Sequence, residues 1–311
     1  MLDRKLIRDL ARMWAQVLTI ALVMACGVAT IIIAVGAYRS LAETRSAFYD
    51  RSRFADVFAS ASRAPLGLRQ ALSAIPGMSS LELRVVKPVL LNIEGMVEPA
   101  TAIAVSIPDS GGSAVNRLYL RTGRLPDPLR GNEVAVVETF ATAHKFQTGN
   151  RFEANMNGRM RTLIISGIVL SPEYVYAIGP GDMVPDQRRF GVLFMPKTAL
   201  DGIFDMDGAF NDLSAKTLRN ADRLAIFDRI DVILKPYGGV GAYGRDQQIS
   251  HMFLDSELSQ LRGMSNFIPP IFLFVAAFLV NMILSRLITL EREQIGLLKA
   301  LGYDEFAIAW H

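Results

Sequence analysis

The chain has 311 residues, 51% hydrophobic and 20% charged, with a formal net charge of +3. A mean hydropathy of +0.27 is too high for an evenly polar soluble domain, so apolar segments must sit inside an otherwise ordinary polar chain. The Lys and Arg residues are dispersed and form no nucleic-acid stripe, and a lone cysteine, Cys26, excludes an intrachain disulfide or a cysteine-based metal site.

Residues 1–14 carry Leu2, Leu6, Leu10 and Met13/Trp14 at three- to four-residue spacing, with Arg4, Arg8 and Arg12 elsewhere on the turn. This pattern fits an amphipathic helix on the inner membrane leaflet; a cytoplasmic extension of the following span fits it equally. Residues 15–37 hold no charge, and as a helix would extend ~34 Å, enough for a hydrocarbon core of ~30 Å. The run is longer than the apolar region of a cleaved signal peptide, which favours an uncleaved anchor.

Residues 38–262 change character to short elements punctuated by Gly and Pro, expected to form an extracytoplasmic α+β domain. Leu81–Leu91, Ala100–Ile107, Glu133–Val137, Gly191–Met195 and Asn211–Leu218 read as strands. Arg151–Met156 and Met160–Val169 flank Asn157-Gly158, a strong hairpin signal. Helices are expected at Pro65–Ile75, Glu138–Lys145, Asp222–Leu234 and from Gln247 to Met264. Two packed lobes are expected, divided near residues 110–130.

Residues 263–285 form a second uncharged run, centred on PPIFLFVAAFLVNMIL, within an expected second span over residues 263–286. Pro269 and Pro270 predict a hinge or kink where the domain meets the membrane; the first turn of a new helix is the alternative. Thr30 and Asn281 are expected to make hydrogen bonds between the spans. The N-terminal basic cluster, with Arg286, Arg292 and Lys299 after the second run, puts both termini in the cytoplasm and the middle outside.

Catalytic chemistry is not expected. The three histidines, His144, His251 and His311, make no HExxH, and the glycine-rich stretches lack a phosphate-loop ending. His251 and Asp255 are at i,i+4 spacing, more often a solvated helix face than a metal site. Neither a metal nor a cofactor is expected, and the apolar runs contain no carboxylate or lysine for a proton relay.

The segment 287–311 (a cytoplasmic coupling segment in this reading) continues as a helix to Leu301, stops at Gly302, and restarts at Asp304 with Phe306, Ile308 and Trp310. A short apolar helix interrupted at His311 suggests a fragment or an N-terminal half. Arg292-Glu-Gln-Ile-Gly-Leu-Leu-Lys-Ala-Leu-Gly-Tyr303 resembles the motif after the second span of FtsX-like, MacB-type ABC transporter permeases. Further stretches that resemble the periplasmic core domain of that family are Arg53-Phe-Ala-Asp56, Ala64-Pro65, Gly123-Arg-Leu-Pro126 and Asn132-Glu-Val134. Ser171-Pro-Glu-Tyr-Val-Tyr176, Gly208-Ala-Phe-Asn211 and Gly241-Ala-Tyr-Gly-Arg245 continue the likeness.

The resemblance implies a permease of the bacterial cytoplasmic (inner) membrane, with two transmembrane helices flanking an α+β, MacB-like periplasmic core. A separate cytoplasmic ABC ATPase would dock on Arg292, Glu293, Gln294, Ile295, Gly296, Lys299 and Gly302. Lipid, further permease spans or a second permease copy, and a periplasmic protein are the other implied partners. Export or extraction of a hydrophobic substrate is the leading expectation. A non-transporting scaffold that regulates a periplasmic partner such as a cell-wall hydrolase is the alternative, and a two-span sensor is a third.

Overall fold

The computed structural model describes residues 14–182, 184–290, 292–302 and 306. The expected N-terminal amphipathic helix and the cap at Asp304 lie outside the described residues. Residues 44–256 form one compact unit, and the helical segments on either side of it form another.

The first helix, α1 (Trp14–Arg51), spans 38 residues, ~57 Å at 1.5 Å per residue and far more than a bilayer core needs. It stops at Arg53, whose φ of +49° is left-handed; the Phe54 N–H then reaches back to the Tyr49 carbonyl. This is a Schellman-type stop in which arginine stands where glycine is usual. Arg245 secures the exit, donating to the Phe54 and Ala55 carbonyls and pairing with Asp56.

After the stop come β1 (Val57–Pro65), a short 3-10 turn and α2 (Arg69–Ser73), then β2 (Met78–Arg84) and β3 (Val86–Asn92). The single strand expected over Leu81–Leu91 is therefore two strands, and they belong to different sheets. At the crossover Val85 is fully buried, and no ladder partner serves its backbone there. Ser106 fills that need: its Oγ accepts from the Val85 N–H, and its own N–H donates to the Val85 carbonyl, both at 2.8 Å. Asn211 does the same for Val86, accepting from its N–H and donating to its carbonyl at 2.8 and 2.7 Å. A buried crossover is tolerable because its backbone groups are satisfied this way.

The chain continues through β4 (Ala100–Ile107), β5 (Tyr119–Gly123), β6 (Glu133–Val137) and α3 (Glu138–Ala143). Next are β7 (Arg151–Met156), β8 (Arg159–Leu170), β9 (Phe190–Pro196) and α4 (Lys197–Phe204). Asn157 and Gly158 between β7 and β8 both have positive φ, as a type I′ hairpin requires. Strands run in the order β5-β8-β6-β9-β4-β3-β7, and β7 also pairs with β8, closing six of them into a barrel with β5 on its outside. Side chains such as Leu91, Val136, Leu163, Ile165, Leu193 and Met195 fill the barrel core.

The remaining sheet, β11-β1-β10-β2, uses β10 (Ala209–Thr217), α5 (Arg223–Leu234) and β11 (Tyr243–Gly244). Its core includes Leu72, Leu83, Phe210, Leu213 and Ile230. The barrel and the small sheet each have a core of their own, but the expected division near residues 110–130 does not separate them. The barrel is an insertion between β2 and β10, so its two boundaries lie near Val85 and before Ala209. A barrel closed by β7–β8 pairing cannot be divided within its own strands.

The last described helices are α6 (Ile249–Leu290) and α7 (Arg292–Ala300). Pro269 and Pro270 lie inside α6, which is helical on both sides of them, so they do not begin a new helix. Lacking N–H groups, they leave the carbonyls of Ser265 and Asn266 without their usual helical donors. The apolar windows of α1 and α6 are 6% and 11% buried, so neither is the enclosed core helix of a soluble fold. Both are candidate membrane spans. Within this helical unit the two meet at Gly27, where a Cβ would sit 3.4 Å from Phe272 and 3.7 Å from Leu273. Thr30 does not bond across to α6 as expected; its Oγ1 donates to the Cys26 carbonyl one turn back, at 2.7 Å. Asn281 is exposed.

Candidate functional site

Four separate parts of the domain converge on a buried ionic cluster. Arg84 ends β2, Asp212 lies on β10, Glu173 follows β8, and Asn116 precedes β5. The Arg84 Nη1 and Nη2 donate to the two Glu173 oxygens, at 2.7 and 2.8 Å, while its Nε donates to Asp212 Oδ1 at 2.7 Å. Asn116, itself held left-handed at φ +51°, donates through Nδ2 to Glu173 at 2.8 Å and accepts from the Ala55 N–H. Arg84 and Glu173 are buried, so the charges are compensated by each other rather than by water.

Burial opposes the charge on Arg84, but Asp212 and Glu173 outweigh it and raise its pKa well above the ordinary value. Burial pushes the Asp212 carboxyl up, against the pull of Arg84. The Tyr174 hydroxyl is pushed well above the phenol range by burial and then by Glu173. Burial likewise takes Tyr243, near the same cluster, to about 12.

The cluster is joined to the first turn of α6. Gln248, immediately before that helix, accepts from the His251 N–H through Oε1 and donates to the Glu173 carbonyl through Nε2, at 2.8 and 2.6 Å. Ser250 Oγ accepts from the Tyr176 N–H at 2.9 Å. Nearby, the Tyr49 hydroxyl meets His251 Nδ1 at 3.1 Å, and Arg45 pairs with Asp255 at 2.7 Å. The i,i+4 pair His251 and Asp255 thus ties α6 to α1. Among the described residues no group of three or more His, Cys, Asp or Glu is placed to hold a metal ion.

The expected coupling residues are elsewhere. Arg292, Glu293, Ile295, Gly296 and Lys299 are carried by α7, with all but the half-buried Ile295 exposed; the Gln294 side chain lies outside the described residues. Gly302 has a φ of +87°, and its N–H donates to the Lys299 carbonyl, a left-handed helix stop as its position predicts. Pro269 and Pro270 share α6 with the hydrogen bonds at Gln248 but lie some twenty residues along it.

Sequence reading did not single out Arg84, Asp212, Asn116 or Gln248. Glu173 and Tyr174 fell inside a quoted stretch without a role. An isolated arginine at the end of a strand gives no periodic signal, and the acids that balance it are 89 and 128 positions away.

No family model matches the chain, and a search of curated proteins returns no match. Among solved structures, the extracellular domain of the noncanonical ABC-type transporter YknZ from Gram-positive bacteria is similar at 13% identity. That match has a TM-score of 0.41 and covers 60% of this chain and 98% of that one. The periplasmic region of MacB from Actinobacillus actinomycetemcomitans is similar at 12% identity and a TM-score of 0.38, covering 65% and 94%. A domain of a permease-like protein from Porphyromonas gingivalis gives 11% identity and a TM-score of 0.35, covering 65% and 96%.

Proposed function

We propose that the chain is a permease subunit or half-subunit of an ABC transporter, converting movement of its membrane helices into movement of an outer domain. In this reading α1 and α6 cross the bacterial cytoplasmic membrane and both termini are cytoplasmic. A separate ATPase engages α7 through Arg292, Glu293, Gln294, Ile295, Gly296 and Lys299, with Gly302 setting the turn. Pro269 and Pro270 act as a hinge in α6, because two missing backbone hydrogen bonds soften the helix there.

The supporting observation is the bond pair at Gln248. The same side chain caps α6 and holds the Glu173 segment, so a displacement at the start of α6 bears directly on the Arg84 cluster between barrel and small sheet. A hydrophobic substrate such as a lipid, lipoprotein or peptide would be moved by the outer domain rather than through a wide pore. The test is copurification of the full chain with a soluble ATPase. Charge reversal at Arg292 and Lys299 is expected to abolish association, and a chain that purifies alone, or retains its ATPase after reversal, refutes the reading.

One observation favours a scaffold that regulates a periplasmic partner without transport. The clefts on the outer domain are open and charged at the rim, as in the ~620 Å³ cleft bordered by Glu94, Lys145 and Arg151. Release of a periplasmic partner upon disruption of the Arg84 cluster, with substrate movement unchanged, separates this reading from transport.

A further inference from the structure

One end of the barrel is closed by a helix and carries a half-buried arginine that makes no ion pair among the described residues. Arg161 lies on β8 in phase with Leu163 and Ile165, whose side chains fill the barrel, so its own side chain stands at the mouth of that core. The helix α4 closes this end: Leu200 and Ile203 join the barrel core, and the Ile203 carbonyl accepts from Asn157 Nδ2 of the β7–β8 turn. Between helix and rim is a cleft of ~590 Å³, bordered by Asn132, Arg161, Thr162, Leu163, Ala199 and Gly202.

Arg161 Nε is buried and meets no hydrogen-bond partner, and Arg161 forms no ion pair among the described residues. Two acids adjacent in sequence to residues of the cleft are already engaged. Asp201 is held by Lys197 at 2.7 Å, and Glu133 by Arg124 and Arg130. A buried donor left without an acceptor is costly, and charge-assisted bonds are the strongest available to relieve it. Asn132 adds an amide on the same rim. Gly202 keeps the space open, since a Cβ there would meet nothing within 4 Å.

We propose that this cleft is a binding site for a small oxyanion, a phosphate or carboxylate group, with Arg161 as its principal partner. The guanidinium supplies a planar pair of donors, Asn132 adds an amide, and Leu163 and Ala199 bound the apolar side of the ligand. The site lies on the barrel, apart from the Arg84 cluster and from α7, and stands whether or not an ATPase partner exists.

The experiment is thermal unfolding of the full chain in detergent, titrated with inorganic phosphate or acetate against chloride at matched ionic strength. Wild type should show a saturable rise in Tm with at least one oxyanion; phosphate alone identifies a phosphate-bearing ligand, and acetate alone a carboxylate. Arg161→Met should weaken the apparent affinity by about ten- to a hundredfold, the loss of a charge-assisted bond, while being no less stable than wild type in chloride. Gly202→Leu, which fills the cleft from open space, should abolish the saturable response in a folded protein. An equal, non-saturating response in wild type and Arg161→Met overturns the proposal, because it reflects general salt stabilisation. Destabilisation of Arg161→Met by the same amount with and without oxyanion also overturns it, because the residue is then structural.

Discussion

The Arg84 guanidinium grips both oxygens of Glu173 across 89 positions of sequence, joining the last residue of β2 to the segment that leaves the barrel at β8. It is a fork-to-fork pair removed from solvent, the geometry in which a guanidinium cannot be exchanged for an ammonium. Glu173→Gln leaves Arg84 buried with Asp212 alone. It is expected to destabilise the protein by about 3–5 kcal/mol, the cost of breaking a buried pair from one side. Arg84→Met combined with Glu173→Met should cost less than the two single changes summed, because only Asp212 is then left without its partner. Denaturant unfolding of the full chain in detergent measures both.

Glu82 carries a separable pH signal. Its carboxyl is pushed above the ordinary range, chiefly by burial, even though its Oε2 accepts from the Ala114 N–H at 2.8 Å. A carboxyl whose folded pKa is raised favours the fold fully below its unfolded value, and that contribution is lost as pH rises through the folded value. Glu82→Gln keeps an acceptor for Ala114 and carries no charge. It should therefore be more stable than wild type near neutral pH, with the advantage shrinking as the solution is acidified through the carboxylate range. Glu133 gives the opposite sign. Its hydrogen bond from Arg124 lowers its pKa, so its contribution is lost as pH falls.

Gly123 turns left-handed at φ +78° where β5 ends, and an added Cβ would lie 2.3 Å from the Ser166 carbonyl oxygen of β8. Backbone, unlike a flexible side chain, cannot yield locally. Gly123→Ala should therefore cost about 1–3 kcal/mol through strain, whereas Gly149→Ala, at φ +91° in open space, isolates the conformational part of that cost. Comparing their unfolding midpoints tests the assignment.

Arg45 and Asp255 pair at 2.7 Å with partial exposure, so each charge is well screened. Asp255→Arg should lower stability by about 0.2–1 kcal/mol, and the swapped double variant Arg45→Asp/Asp255→Arg should recover most of it. Protease susceptibility near the α1 and α6 ends of the domain reports the effect, which should diminish in high salt.

Much of the secondary structure was legible locally. The five buried residues of Glu133–Val137, the Asn157-Gly158 turn and the Asp222 cap of α5, whose side chain accepts from the Leu224 and Ala225 N–H groups, each rest on nearest neighbours in sequence. The misreading of Leu81–Leu91 has a definite cause. Arg84-Val85-Val86 holds no Gly, Pro, Asn or Asp to mark a break, and the acceptors and donors that let the chain change sheets there belong to Ser106 and Asn211. The division expected near residues 110–130 fails for a related reason, since closure through β7 and β8 is a long-range pairing with no local signature.

What could be read from residue order alone was what depends on short-range physics: two uncharged runs long enough for a bilayer, the α+β character between them, and the left-handed stop at Gly302. Three-dimensional folding alone decided which charges share a buried space. Arg84, Glu173 and Asp212 become one cluster only when strands distant in sequence are brought side by side. Electrostatic partnership depends on distance through the folded protein, and position along the chain does not encode it.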